Sequence, residues 1–320
     1  MKLSFEPDQL ALRDAVRDLL RKECTPDVVR KAWEAPAGEL DRGVWDALAD
    51  MGVLSVLVPE ADGGLGLDFT SLVLVLEETG RVALPHPIVD TAAVAAPLAG
   101  ADGSLVAACL GGAPVPCADD ADRFLVDHEG ALLLLPREGV QLRSLDTVDR
   151  SRRLAQLIGV NRSTATVITE SATELEDAFD RGVLGASAQL LGLAQTMLDL
   201  TVGYVKERHQ FGVPIGSFQA VKHHLADALK ALEFARPTTY RAAWSVANGS
   251  PDRRRDVAMA KAMASDAAQL VGRTALQCHG AIGYTVEYDL HLYLKRTWAL
   301  ARSWGDAAWH RDRVATYLGV

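Results

Sequence analysis

Apolar positions recur every three or four residues over three long stretches in the second half of the chain. Leu191, Ala194, Leu198, Val202 and Val205 form one set; Val221, Leu225, Ala228, Leu232 and Ala235 form a second; Val257, Ala260, Ala264, Ala267 and Val271 form a third. Each set draws one apolar stripe along one long helix, and together the stripes predict an antiparallel bundle. A fourth helix is expected from Tyr288 to the C-terminus, and core packing is the plain reading of all these stripes. Near the start, Leu12, Val16, Leu19 and Leu20 share a helical face behind Pro7, a residue suited to a first turn. Further apolar helices are expected through about residue 98, interrupted at 59–68 by the loop PEADGGLGLD. Between about 100 and 172 the pattern changes to short runs, SLVAACL, RFLVDH, ALLLLP, VQLRSL and STATVI, set apart by Gly, Pro and charged residues. The expected fold is mainly α with a small β domain: an N-terminal helical domain over 1–98, the β domain over 99–175 and a C-terminal four-helix bundle over 176–320.

Composition narrows the function classes. With 320 residues and 49% hydrophobic content the chain is long enough for a substantial core. A formal net charge of −9 argues against nucleic acid as the main partner, because phosphate binding needs concentrated Lys and Arg. The first turns are charged, and no segment approaches the ~18 uninterrupted apolar residues of a spanning helix, so a cytoplasmic chain without a membrane segment is expected. Cys24, Cys109, Cys117 and Cys278 are scattered without a CxxC, which favours reduced thiols. His223 and His224 are adjacent and point about 100 degrees apart on a helix, and His279, His291 and His310 are not at ligand spacing, so no metal site is expected. Asn161-Arg162-Ser163 is a chance sequon in a cytosolic chain.

One stretch breaks the helical pattern: RHQFGVPIGSFQAVKHHLAD, residues 208–227, places two aromatics, two glycines and a proline inside it. Read alone, Arg208 is a helix-end cap or ion-pair partner, and Phe211 and Phe218 are plugs under a loop. Together with VPEADGGLGLD near residue 58, RAAW at 241–244 and QCHGAIGYTVEYDLHLYLKR at 277–296, however, this stretch resembles the acyl-CoA dehydrogenase family, in the family's order and over almost the whole length. The resemblance implies FAD and the removal of two hydrogens from an acyl-CoA thioester, with a carboxylate taking the α proton and flavin N5 the β hydride. It also implies a flavin lying across a subunit interface, and electron-transfer flavoprotein as the electron acceptor.

On that resemblance Arg208 makes a forked contact to the diphosphate, Gly212 lets the backbone turn sharply, and Gln210 and Phe211 add a hydrogen bond and an apolar wall. Gln277, His279 and Gly280 approach the same cofactor from the next helix end, where backbone amides favour phosphate. Ala281 stands where the family often has a second glycine.

The chain departs from the family in two places. The family's TEP…GSD-like stretch, which touches the flavin ring and substrate, is absent from LGGAPVPCADDADRFLVDHEGALLLL. The usual catalytic Glu is absent too: Gly305 stands at or beside one family position and Gly182 near the other. Asp306 is the nearest candidate base, with a turn or a pairing to Arg311 or Arg313 as its structural reading; Asp180 reads as an N-cap. General-base assistance is worth 10²- to 10⁴-fold, so its loss leaves a poor dehydrogenase. The pattern resembles the shorter subunits of actinobacterial heteromeric acyl-CoA dehydrogenases acting on bulky, steroid-type acyl groups. The expectation is a subunit that completes the flavin site of a catalytic partner. The alternatives are a self-sufficient homomeric enzyme using Asp306, and a non-catalytic helical scaffold without FAD.

Overall fold

The structure, a computed structural model, describes residues 4–320. Pro7 takes the first position of α1 (Pro7–Glu23), and Glu6 and Gln9 close its first turn with a reciprocal capping box. The helices α2 (Pro26–Glu34) and α3 (Gly43–Asp50) follow, and residues 59–68 form a short 3-10 turn and an irregular loop, as the glycines and acids suggest. Asp68 then caps α4 (Phe69–Arg81) by accepting from the Thr70 N–H, and most of α4 is buried. A π-helical turn, Val89–Ala95, runs into the short α5 (Ala96–Ala99).

The β region contains β1 (Val106–Cys109), β2 (Arg123–His128), β3 (Ala131–Pro136), β4 (Val140–Ser144), β5 (Ala155–Val160) and β6 (Thr166–Thr169). They form a four-stranded sheet in the order β1-β2-β3-β6, with β1 parallel to β2, and a separate β4-β5 pair. In the β2-β3 register Phe124 faces Leu135 and Val126 faces Leu133. These four side chains pack in a small core with Val115, Val140 and Ala155, while Leu125, Leu132 and Leu134 join the large helical core. The continuous apolar runs thus belong to strands buried on both faces.

The C-terminal part holds α6 (Ala172–Glu207), a two-residue-per-strand ribbon of β7 (His209–Gln210) and β8 (Val213–Pro214), then α7 (Gln219–Ala247), α8 (Arg253–His279), α9 (Leu290–Arg302) and α10 (Ala307–Leu318). Most of the predicted stripe positions point inward: Leu191, Ala194, Ala228, Leu232, Val257, Ala260, Ala264 and Val271 are buried in the large core, whereas Val202, Val221 and Leu225 are only half-buried. Each fully buried Leu there is worth roughly 1.5–3 kcal/mol. That core also contains Val16, Leu20, Leu72 and Leu76, so the N-terminal helices and the bundle share one interior. Helices α4 and α6 cross with their backbones in contact; a Cβ on Gly80 would lie 2.2 Å from the Gln189 oxygen, and one on Gly192 2.0 Å from the Glu77 oxygen.

Two sequence expectations need correction here. The fourth bundle helix is divided: Trp304 and Gly305 adopt positive φ of +60° and +84°, which ends α9 and starts α10 at a new angle. The buried Lys261 ammonium holds this break, donating to the carbonyls of Ala301 at 3.2 Å and Gly305 at 2.8 Å. Asp180 is not an N-cap. Helix α6 begins eight residues earlier, where Ser171 Oγ accepts from the Glu174 N–H; Asp180 is buried within the helix and pairs with Arg313 of α10 at 3.0 Å.

The four cysteines are unpaired. Among the described residues no cluster of His, Cys, Asp or Glu could hold a metal ion, and no helix is long and apolar enough to cross a membrane.

Candidate functional site

The interruption at 208–214 is a miniature hairpin. Phe211 and Gly212 form its two-residue turn, with φ of +54° and +81°, the left-handed pair that a tight type I′ connection requires. Glycine adopts this geometry freely, whereas for Phe211 it is strained. The Phe211 ring is 93% exposed, so it is no plug; its aromatic neighbour is Phe218, with centroids 6.2 Å apart in an edge-to-face arrangement. Arg208 ends α6: its N–H donates to the Tyr204 carbonyl and its own carbonyl accepts from Ile215. Its exposed guanidinium makes no ion pair or hydrogen bond among the described residues. Gln210, also exposed, donates from Nε2 to the His209 carbonyl.

The end of α8 lies beside this ribbon. Tyr204 of α6 stacks on His279 at 4.4 Å between centroids, and its hydroxyl donates to the His279 carbonyl at 3.4 Å. Gln277 and Gly280 are exposed, and Gly280 terminates α8 with φ +63° and open space, free of any atom within 4 Å, where a Cβ would stand. The fold therefore brings Arg208, Gln210, Phe211, Gln277 and Gly280 to one outward edge. His279 departs from that group: its ring is buried, held by Nδ1 against the Ala275 carbonyl at 2.8 Å and packed between Tyr204 and Tyr288. Burial pushes its pKa down, and Nε2 is left without a partner among the described residues. The amide argument also fails, because Gly280 follows the C-terminal end of α8, where unpaired carbonyls carry partial negative charge. Attraction for phosphate at this edge is supplied by exposed cations without an ion pair among the described residues, Arg208 foremost, with Lys206 beside it and Arg273 one turn before Gln277.

The positions where a base was sought are closed. A Cβ on Gly182 would meet the Trp304 ring at 2.6 Å, and one on Gly305 would meet Trp309 at 2.5 Å and His310 at 2.9 Å. Asp306 caps α10: its carboxylate accepts from the Trp309 N–H at 2.9 Å, which holds its pKa below the usual carboxylate range. Arg311 and Arg313 pair with Asp266 and Asp180 instead. Asp306 is thus neither paired with those arginines nor free, but a helix cap, and a carboxylate stabilised as the anion is a weak proton acceptor.

Between the β region and α9 lies a cleft of about 300 Å³. Leu110 and Pro114 from the β1-β2 connection, Val148 and Leu154 from the β4-β5 connection, and Trp298 and Trp304 form its apolar walls. Three charged groups interrupt them: the exposed Arg302 of α9 and, less exposed, Asp90 from the π-helical turn and Arg152. Sequence reasoning passed over all three, although Asp90 is the lone acid in the apolar run IVDTAAVAA, and a lone acid in such a run signals a buried polar group. Just behind, Arg296 of α9 ties the cleft wall together: buried, it bonds Asp149, the Ser151 hydroxyl at 2.7 Å and the Leu84 carbonyl at 2.6 Å.

An exposed cation without an ion pair and an exposed aromatic ring fit the phosphate-bearing portion of FAD. The cleft does not offer the family's ring-binding stretch. Comparison with known proteins supports the same relationship. Residues 6–103 match the acyl-CoA dehydrogenase N-terminal domain and residues 173–318 the acyl-CoA dehydrogenase C-terminal domain. The chain is 32% identical to acyl-CoA dehydrogenase IpdE2 of Mycolicibacterium smegmatis, over 92% of this chain and 93% of that protein. Among solved structures, the Tcur3481-Tcur3483 steroid ACAD G363A variant is 26% identical with a TM-score of 0.85 over 98% of both chains. A chain of the ChsE4-ChsE5 complex from Mycobacterium tuberculosis shares the fold, at 24% identity and a TM-score of 0.86 over 100% of this chain and 99% of that one. This chain belongs to the acyl-CoA dehydrogenase family of FAD-dependent oxidoreductases.

Proposed function

We propose that this chain is a subunit of a heteromeric acyl-CoA dehydrogenase and completes the flavin site of a catalytic partner chain. The observation that carries this reading is the outward edge. Arg208, Gln210, Phe211, Gln277 and Gly280 are all exposed, and the Arg208 guanidinium and the Phe211 ring are not engaged by the chain's own core. Arg208 binds the diphosphate of FAD by charge-assisted hydrogen bonds, Gln210 and Gln277 add neutral ones, and Phe211 walls off water. A bound flavin supplies the hydride acceptor. The partner supplies the base, since Gly182 and Gly305 have no room for one and Asp306 is committed to its cap. One similar structure is a steroid ACAD and another is the ChsE4-ChsE5 complex, which supports a bulky, steroid-type acyl-CoA and a second dehydrogenase-like subunit. Electron-transfer flavoprotein is the proposed acceptor, and the assembly is cytoplasmic.

The test is the Arg208→Ala/Gln277→Ala double variant, co-expressed with the catalytic partner. Charge-assisted bonds to phosphate are worth about 1.5–3 kcal/mol, so flavin affinity is expected to fall by roughly 10- to 100-fold or more, with activity restored in part by excess FAD. Unchanged flavin content and turnover in an intact complex would refute the assignment.

A further inference from the structure

The outward edge is assembled from two helix ends, and a ligand that touches both needs them at a fixed separation. Arg208 and Gln210 follow the last turn of α6, whereas Gln277 and Gly280 belong to the end of α8. Helix ends fray, because their last carbonyls have no partner inside the helix. Here a cluster of three rings spans the gap. Tyr204, one turn before Arg208 on α6, lies on the His279 ring at 4.4 Å with the planes 23° apart. Tyr288, just ahead of α9, closes the cluster, 4.8 Å from His279 and 6.0 Å from Tyr204.

Tyr204 is tied in both directions. Its carbonyl accepts from the Arg208 N–H at 2.9 Å, and its hydroxyl donates at 3.4 Å to the His279 carbonyl, one of the orphan carbonyls at the end of α8. The His279 end is fixed as well: Nδ1 donates to the Ala275 carbonyl at 2.8 Å, and a Cβ on Gly283 would stand 3.0 Å from the His279 Cβ, so the turn after Gly280 folds directly onto it. On the α6 side a Cβ on Gly216 would lie 2.9 Å from the Val205 carbonyl oxygen, which backs the segment after the ribbon against the same helical turn. Arg208, Gln210, Gln277 and Gly280 stay exposed, while Tyr204 and Tyr288 are half-buried and His279 is buried. The rings therefore support the edge from behind. An aromatic pair and a neutral hydrogen bond each shift a local equilibrium by about two- to tenfold. That is enough to matter, because a ligand that needs one arrangement binds in proportion to the fraction of the protein that has it.

We propose that Tyr204 is a positioning residue: through its stack with His279 and Tyr288 it holds the end of α6 at a set distance from the end of α8, so that Arg208 and the turn at 277–280 meet one FAD diphosphate together. The inference rests on the flavin reading of this edge and adds to it a residue that acts through Arg208 without touching the cofactor.

FAD affinity of the complex with its catalytic partner, titrated by quenching of flavin fluorescence, tests the role. Tyr204→Leu is expected to weaken binding about tenfold, and Tyr204→Phe, which keeps the ring stack and loses one long hydrogen bond, by no more than about threefold. The deciding comparison is the Arg208→Ala background. A residue that acts through Arg208 has little left to position once that side chain is gone, so Tyr204→Leu should cost no more than about twofold there. An equal tenfold loss in both backgrounds would mean a general loosening of the fold and overturn the proposal. Unchanged affinity in Tyr204→Leu, where Arg208→Ala alone weakens binding, would overturn it too. Unchanged affinity in Arg208→Ala itself would refute the flavin reading of the edge, and this inference with it. Should Tyr204→Leu not fold, His279→Leu, which fills the same buried space with apolar atoms, is expected to give the same loss and the same dependence on Arg208; a His279→Leu complex with parental affinity would contradict the positioning role.

Discussion

Two ends of the C-terminal helices have been treated in opposite ways. At the tip of α6 and α8 the chain turns its motif outward, with a strained, 93% exposed Phe211 and an Arg208 guanidinium that pairs with nothing among the described residues. At the junction of α9 and α10 it turns inward, filling the space around Gly182 and Gly305 with Trp304, Trp309 and His310. The first region is costly in isolation, since an exposed aromatic ring gains nothing and the left-handed backbone costs about 1 kcal/mol or more. The second is well packed and stabilised by Lys261 and the Asp306 cap. An edge held ready and a base position filled in are what a chain needs if it completes another subunit's site rather than running its own chemistry.

The sharpest break of this contrast lies on the closed side. Arg296→Met should cost about 3–5 kcal/mol, because it strands the buried Asp149 carboxylate and opens the Leu84 carbonyl; thermal melting reads it, and a shift of only a degree or two would show that this wall is not a locked element. Gly305→Glu is expected to destabilise by roughly 2–5 kcal/mol, from overpacking against Trp309 and from a side chain forced to positive φ. It should not create a dehydrogenase, and a stable Gly305→Glu chain with turnover of its own would dissolve the contrast.

A smaller effect separates the two regions by pH. His310 is buried against the Trp304 carbonyl at 2.8 Å, and burial, aided by Lys261 and Arg313, pushes its pKa from the ordinary ~6.5 down to about 3. Asp306 opposes that shift. The unfolded chain therefore takes up a proton that the folded chain refuses between those two values. The stability present above ~6.5 is lost as pH falls toward 3, at up to about 1.4 kcal/mol per pH unit. His310→Gln should flatten denaturant midpoints between pH 6.5 and 5 by about 1–2 kcal/mol relative to the parent; parallel curves would place His310 outside the acid response. The smallest effect belongs to the open side: Arg208→Ala should leave melting of the chain alone within about 0.5 kcal/mol of the parent, as for a surface residue without partners.

How much of this was legible in the sequence depends on whether a local signal existed. The strands RFLVDH and ALLLLP appear at the expected residues because continuous apolar runs bounded by Asp, Gly and Glu have few other uses. The strand β5 is announced poorly, since its side chains are mostly half-exposed and it follows a run of arginines. The break between α9 and α10 is hidden by a helical period that continues through WALARSWGDAAWHRD, with only Gly305 to mark it. Arg208 and Gln277 are exposed, as charged and polar residues at helix ends usually are, whereas the inward direction of His279 depends on Tyr204, 75 residues away, and no local spacing encodes it. The pairing of Asp180 with Arg313 spans 133 residues and was equally out of reach.

The most direct test of the central claim is the FAD-to-chain ratio and native mass of the purified protein, alone and after co-expression with a neighbouring dehydrogenase-like chain. The account predicts a colourless chain alone and a yellow complex with about one flavin for every two chains, stabilised by the ligand that the interface shares. One flavin per chain in a homo-oligomer would contradict it, and a colourless complex would leave the outward edge of Arg208 and Phe211 without a role in flavin binding.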